Sequence, residues 1–145
     1  MPVARILGRD GAGSTAVEFA VVALSLFLLL LGSIEGGLLY WSWQALEAAT
    51  IDAGRCAALN APSCGNPAIS ITATQNYVVA AAALRGLAGV SAANVTVQTG
   101  ASAQASCGKT TASVVTVAAT YTFPMVSFVP LPSKLSASVC FPLAS

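Results

Sequence analysis

The chain has 145 residues, of which 56% are hydrophobic and 8% charged, with a formal net charge of +1. An ordinary soluble domain is about 25% charged, so this composition excludes one with the usual ionic surface and leaves a chain that is membrane-anchored or covered by an assembly. Histidine is absent, which removes the commonest general base, metal ligand and partner of a nucleophilic Ser or Cys, and no basic cluster exists to hold nucleic acid.

Residues 1–13, "MPVARILGRDGAG", form a short polar leader with Arg5 and Arg9. From Phe19 to Ile34 there is no charge, and apolar character resumes at Leu38, Leu39, Tyr40, Trp41 and Trp43. A helix from Ser14 to Asp52 would be roughly 58 Å long at ~1.5 Å per residue. That exceeds the roughly 30 Å hydrocarbon core, so a membrane-crossing part is expected at about residues 16–39, within a long helix over 14–54. Tyr40, Trp41 and Trp43 suit the far interface, where amphipathic rings concentrate, and Arg5 and Arg9 favour a cytoplasmic N-terminus. A cleaved secretory signal is the alternative for this run. No clear A-x-A site follows Leu31, however, and apolar sequence continues well past it.

Beyond the long helix, residues 55–145 read as a small head. "CAALNAPSCGNP" is a turn-rich link. A second helix is expected to begin between Pro67 and Thr74, with Ile69, Ala73, Tyr77, Ala80, Ala81, Leu84 and Ala88 at helical spacing and Gly86 and Gly89 ending it. Three strand-like runs follow. "NVTVQT" (94–99) alternates, Val115, Val117, Ala119, Tyr121 and Phe123 share one face of 113–123, and Leu135, Ala137, Val139 and Phe141 share one face of 134–141. "PMVSFVPLP" (124–132) is an apolar loop expected to fold onto the head's own core or to touch a membrane or partner. The fold class expected is α+β, with one long helix, one packed helix and a small antiparallel sheet.

The four cysteines, Cys56, Cys64, Cys107 and Cys140, contain no C-x-x-C pair. Disulfides in an oxidising compartment are therefore the better reading than a thiolate zinc site. Cys56 and Cys64 flank a turn containing Pro62, while Cys107 precedes one strand and Cys140 lies on another. The expected pairs are Cys56–Cys64 and Cys107–Cys140, with no metal.

Glu18, at the edge of the apolar run, is the residue whose presence most needs a reason, because a charge at the bilayer centre costs about 2.5–3.5 kcal/mol or more. Three readings are open. "GRDGAG" could be a phosphate-binding loop, but no strand precedes it. Glu18 could mark a helix start, where acids favour the macrodipole. Or Gly13 and Glu18 could form a processing signal.

A basic leader, a Gly, an acid five residues later followed by an aromatic, and then a long apolar helix resemble the type IV pilin group. "RDGAGSTAVEFAVVALSLFLLLLGSIEGG" resembles TadE-like pseudopilins of the tight-adherence (Flp) pilus system, with the likeness covering roughly residues 9–55 and extending to "GRCAAL"; "LSASVCFP" is similar to the family's C-terminal strand. Major Flp pilins are shorter and have Tyr where this chain has Phe19. The resemblance implies cleavage between Gly13 and Ser14 by a membrane aspartyl prepilin peptidase, with Glu18 and Phe19 completing the signal. It also implies assembly with other pilin or pseudopilin subunits and the inner-membrane tight-adherence machinery. Cleavage would leave a cationic amine on Ser14, one turn from Glu18, on its own chain or a neighbour's, so that Glu18 is no longer an isolated charge.

Gly32 and Gly36 form a G-x-x-x-G that permits close helix approach in lipid, although an Ala/Gly-rich helix also produces this spacing by chance. Glu35 is expected to face water or headgroups. All five acids (Asp10, Glu18, Glu35, Glu47, Asp52) precede residue 53, whereas Arg55, Arg85, Lys109 and Lys134 follow it. Asp52 and Arg55, three apart, can meet on one helix face. The function expected is that of a non-enzymatic, cofactor-free pseudopilin in the bacterial inner membrane, crossing once, with the N-terminus cytoplasmic and the head periplasmic. The alternative is a stably anchored periplasmic binding or adhesive module that never enters a pilus.

Overall fold

The computed structural model describes residues 11–108, 113–124 and 133–143, with side chains described from Thr15 onward. The class is α+β, and the elements run α1 (Gly11–Ala58), α2 (Ile71–Leu84), a 3-10 turn (Ala92–Asn94), β1 (Val95–Thr99), α3 (Ala101–Ser106), β2 (Val114–Thr122) and β3 (Lys134–Pro142). The leader up to Asp10, the side chains of Gly13 and Ser14, Lys109 and the loop from Met125 to Pro132 lie outside the described residues. The chain divides between Gly37 and Leu38 into two compact units.

The first unit contains the N-terminal part of α1, which is apolar all round rather than along one stripe. Val17, Phe19, Val21, Val22, Leu24, Leu26 to Leu31 and Ile34 are all exposed. A helix with no polar face needs an apolar surrounding on every side. Its hydroxyls are already satisfied, since Ser25 donates to Val22 O and Ser33 to Leu30 O, each at 2.8 Å. The helix therefore presents no unbonded Ser hydroxyl at these two positions to a medium that offers no hydrogen bonds.

The second unit is built on the C-terminal part of α1. Leu46, Ala49, Ala53 and Ala57 recur at helical spacing and are fully buried. Small side chains on this face let the neighbouring elements come close, and Gly54 marks the tightest point. A Cβ there would stand 2.6 Å from a ring carbon of Phe141 and 3.0 Å from a methyl of Val139 on β3.

Helix α2 starts where Ser70 caps it, its hydroxyl accepting from the Ala73 N–H at 3.2 Å. Of the apolar stripe expected from Ile69, Ala73, Tyr77, Ala80, Ala81, Leu84 and Ala88, Ala81 is buried and Ile69 and Tyr77 pack partly against the core, whereas Ala80, Leu84 and Ala88 are exposed. The face turned inward is Thr74, Val78, Ala81 and Ala82. An alanine-rich helix fixes its own rotation poorly, because several apolar stripes are nearly equivalent, so the polar anchors decide. Thr74 donates to Ser70 O and Cys64 O, and Gln75 Nε2 donates to Val95 O at 2.8 Å, tying α2 to the start of β1. Leu84 is left exposed.

The three strands form one antiparallel sheet in the order β1-β2-β3. Val97 faces Val117, and Val117 in turn faces Val139, which sets the apolar residues of all three strands on one face. β2 departs from simple alternation, because Val114 to Val117 are all buried. The short helix α3, which the strand-and-turn reading missed, covers the other face. Its Ala103 is fully buried, and Ala103 O accepts from the Thr116 hydroxyl at 3.4 Å.

Candidate functional site

The candidate processing site occupies the first turns of α1. The helix begins at Gly11, so the backbone of Gly13 and Ser14 is helical. Ser14 and Glu18 are four positions apart, a rise of about 6 Å that brings them to the same helix face. Glu18 is exposed and makes no ion pair among the described residues. Phe19 beside it is 74% exposed. A cation brought to this face therefore meets an uncommitted carboxylate.

The candidate helix-packing positions, Gly32 and Gly36, likewise share a face by spacing. A Cβ built on Gly36 or Gly37 would meet nothing within 4 Å. Nothing among the described residues requires glycine at 36 or 37, although glycine costs a helix interior about 0.5–1 kcal/mol relative to alanine. Glu35 differs from its expected open setting. It is half-buried, and its Oε2 is covered without a hydrogen-bond partner.

In the head, disulfides join Cys56 to Cys64 and Cys107 to Cys140, with Cα–Cα distances of 5.8 and 6.0 Å. Both are intramolecular, no cysteine is free, and the thiolate zinc alternative loses its ligands. The first clamps the end of α1 to the turn before α2. The second ties the end of α3 to β3 across Thr116, whose hydroxyl lies 3.1 Å from Cys107 Sγ and 3.9 Å from Cys140 Sγ.

Asp52 pairs with Arg85, not with Arg55. Arg85 caps the end of α2, donating from one nitrogen to Ala81 O at 2.9 Å and from the other to Asp52 Oδ2. The i,i+3 pair with Arg55 is displaced because the packing of α2 on α1 brings a second guanidinium, already held by its own helix end, to the same carboxylate. Sequence spacing alone carries no signal for this pair, which is 33 positions apart.

A family model described as TadE-like protein matches residues 13–55. Over these residues the chain is similar to that family. The TadE-like segment starts at Gly13, includes Glu18, Phe19, Gly32 and Gly36, and ends at Arg55, one residue before the first cysteine. No curated protein and no solved structure matches the chain significantly. The TadE-like family is associated with the tight-adherence pilus system and is structural rather than enzymatic. Its long apolar helix fits a single-pass membrane anchor.

Proposed function

We propose that this chain is a membrane-anchored pseudopilin of a tight-adherence (Flp) pilus, acting as a minor pilin-like subunit in assembly. The observation that carries this reading is the coincidence of the TadE-like match with a helix segment that is apolar and exposed on all sides. Within the reading, each singled-out residue has a task. The backbone at Gly13, lacking a side chain, enters a prepilin peptidase, which cuts before Ser14 on the cytoplasmic side. Glu18, with Phe19 next to it, then meets the new amine of Ser14 on its own or a neighbouring chain and reports register. Gly32 and Gly36 let partner helices approach closely in lipid, where van der Waals contact rather than the hydrophobic effect drives association.

The head does no chemistry in this reading. It lies on the periplasmic side, where its cysteines oxidise, and the disulfides stabilise a domain too small for a large core. The partners are other pilin or pseudopilin subunits, the inner-membrane tight-adherence machinery, the prepilin peptidase and membrane lipid.

The test is a photocrosslinking residue placed at Phe27, in cells that carry the tight-adherence machinery. The reading expects adducts with other pilin-like helices that disappear when the machinery is removed. Adducts with lipid alone, unchanged by the machinery, would favour a stably anchored module outside any pilus.

A further inference from the structure

The two disulfides differ in access. Cys56 and Cys64 are 8% and 0% exposed, whereas Cys140 is exposed and Cys107 half-buried. The cause is the row in which the second bond lies. Gln98 of β1, Thr116 of β2 and Cys140 of β3 stand opposite one another in the sheet, on the face away from Val97, Val117 and Val139. α3 crosses this row and is fastened at each strand. Ser106 Oγ donates to Gln98 Oε1 at 2.9 Å, the Thr116 hydroxyl reaches Ala103 O, and Cys107 is bonded to Cys140. Thr116, under α3, is 6% exposed, while Cys140, on an edge strand, stays open to solvent.

Thiol–disulfide exchange depends on which sulfur a thiolate can reach and on how well the other sulfur leaves. Here the open sulfur is that of Cys140, so Cys107 is the leaving group. Cys107 ends α3, where helix carbonyls disfavour a negative charge. Thr116 acts in the opposite sense. Its hydroxyl lies 3.1 Å from Cys107 Sγ and 3.9 Å from Cys140 Sγ. A disulfide sulfur carries no hydrogen, so the hydroxyl is the donor. Its hydrogen bond strengthens as charge collects on Cys107, the nearer sulfur.

We infer that Cys107–Cys140 is a thiol-exchange site for a dithiol protein, and that α3 is the strap it releases. A thiolate of the dithiol attacks Cys140 Sγ, and the S–S bond breaks with its electron pair on Cys107, which takes a proton from water. The partner's second thiolate attacks the mixed disulfide and frees Cys140, which is protonated in turn. The head gains two electrons and two protons, and the dithiol becomes a disulfide. α3 then keeps its hydrogen bonds and the buried Ala103 but no covalent tie. Six residues do not hold a helix unaided, so the strap loosens and uncovers Thr116 in the middle strand. Cys56–Cys64, buried at the end of α1, stays oxidised through the cycle. The site lies wholly in the head, and its chemistry is independent of the pilus reading.

The experiment follows reduction of the full chain in detergent without denaturant. Dithiothreitol or purified thioredoxin is added, samples are quenched with N-ethylmaleimide, and each cysteine is read by peptide mass. With either reductant Cys107 and Cys140 are expected to be labelled about tenfold faster than Cys56 and Cys64. Equal rates or the reverse order overturn the site, and failure with thioredoxin alone overturns the protein partner. Glutathione, a monothiol, reads the direction of attack. Its first adduct is expected on Cys140 with Cys107 free, and an adduct on Cys107 reverses the assignment of the leaving sulfur. Thr116→Val removes the donor at similar shape. It is expected to slow reduction of this pair several-fold and to leave the Cys56–Cys64 rate, which any general loosening of the head would raise, unchanged. An unchanged or faster rate at Cys107–Cys140 removes Thr116 from the exchange. After reduction the Gln104 and Cys107 amides, bonded to Gly100 O and Ala103 O, are expected to exchange hydrogen about tenfold faster; undiminished protection would show that α3 does not open.

Discussion

Asp52, in the C-terminal part of α1, is held by Arg85 at the end of α2, and Arg55 one helical turn away is left exposed. The pair fastens two helices that the sequence separates by a turn-rich link and a disulfide. Its side chains keep 34% and 41% of their surface, so water screens the attraction, and exposed pairs of this kind contribute about 0–1 kcal/mol.

The first prediction follows from that exposure. In a double-mutant cycle with Asp52→Asn and Arg85→Met, which preserves most of the arginine stem, the coupling should be under about 1 kcal/mol and should shrink with added salt. Denaturant unfolding of the full chain in detergent measures it. A salt-independent coupling of about 3 kcal/mol or more would mean that the pair is buried.

The second prediction contrasts two glycines in one helix. Gly54→Ala forces a methyl against the ring of Phe141, and overpacking of this kind costs about 1–3 kcal/mol. Phe141→Leu in the same chain should recover part of that loss. Gly36→Ala meets nothing in its own chain and should be neutral or stabilising by about 0.5–1 kcal/mol, while lowering the crosslinking yield to partner helices. Equal behaviour of the two variants in both assays would remove the packing role from Gly36.

Most of this architecture was legible in the sequence where one period dominates. The uncharged run from Phe19 and the alternation in 113–123 and 134–141 lead to α1, β2 and β3 with boundaries close to those observed. What failed to show had a physical cause in each case. In α2 the run of alanines offered several equivalent stripes, and hydrogen bonds from Thr74 and Gln75 chose the one that leaves Leu84 outside. α3 is six residues of Ala, Ser and Gln with no apolar period, and its effect is visible only as the unbroken burial of Val114 to Val117. The Asp52–Arg85 pair is tertiary and has no local signature. At the candidate site the legible part was the Gly13, Ser14, Glu18, Phe19 order; the covered Oε2 of Glu35 was not, because its place at the end of the apolar run pointed to water or headgroups.

The third prediction separates the two disulfides by loop length. Cys56–Cys64 closes 8 residues and Cys107–Cys140 closes 33. Loop-closure entropy then assigns about 2.5 kcal/mol to the first and about 3.7 kcal/mol to the second. Replacing both cysteines of a pair by serine should destabilise the head more for Cys107 and Cys140, the pair beside whose sulfurs the Thr116 hydroxyl lies. Thermal unfolding of the two double variants tests the order, and a larger loss from the shorter loop would show that native contacts near Cys56, rather than loop entropy, dominate.

The most direct measurement of the pseudopilin reading is the intact mass of the membrane-extracted protein, made in cells with and without an aspartyl prepilin peptidase. The account predicts a chain beginning at Ser14 when the peptidase is present, and the full-length chain when it is absent or when Gly13 is replaced by valine, whose β-branched side chain obstructs the site that a bare glycine backbone enters. A full-length wild-type chain beside an active peptidase, or normal maturation of Gly13→Val, would contradict it.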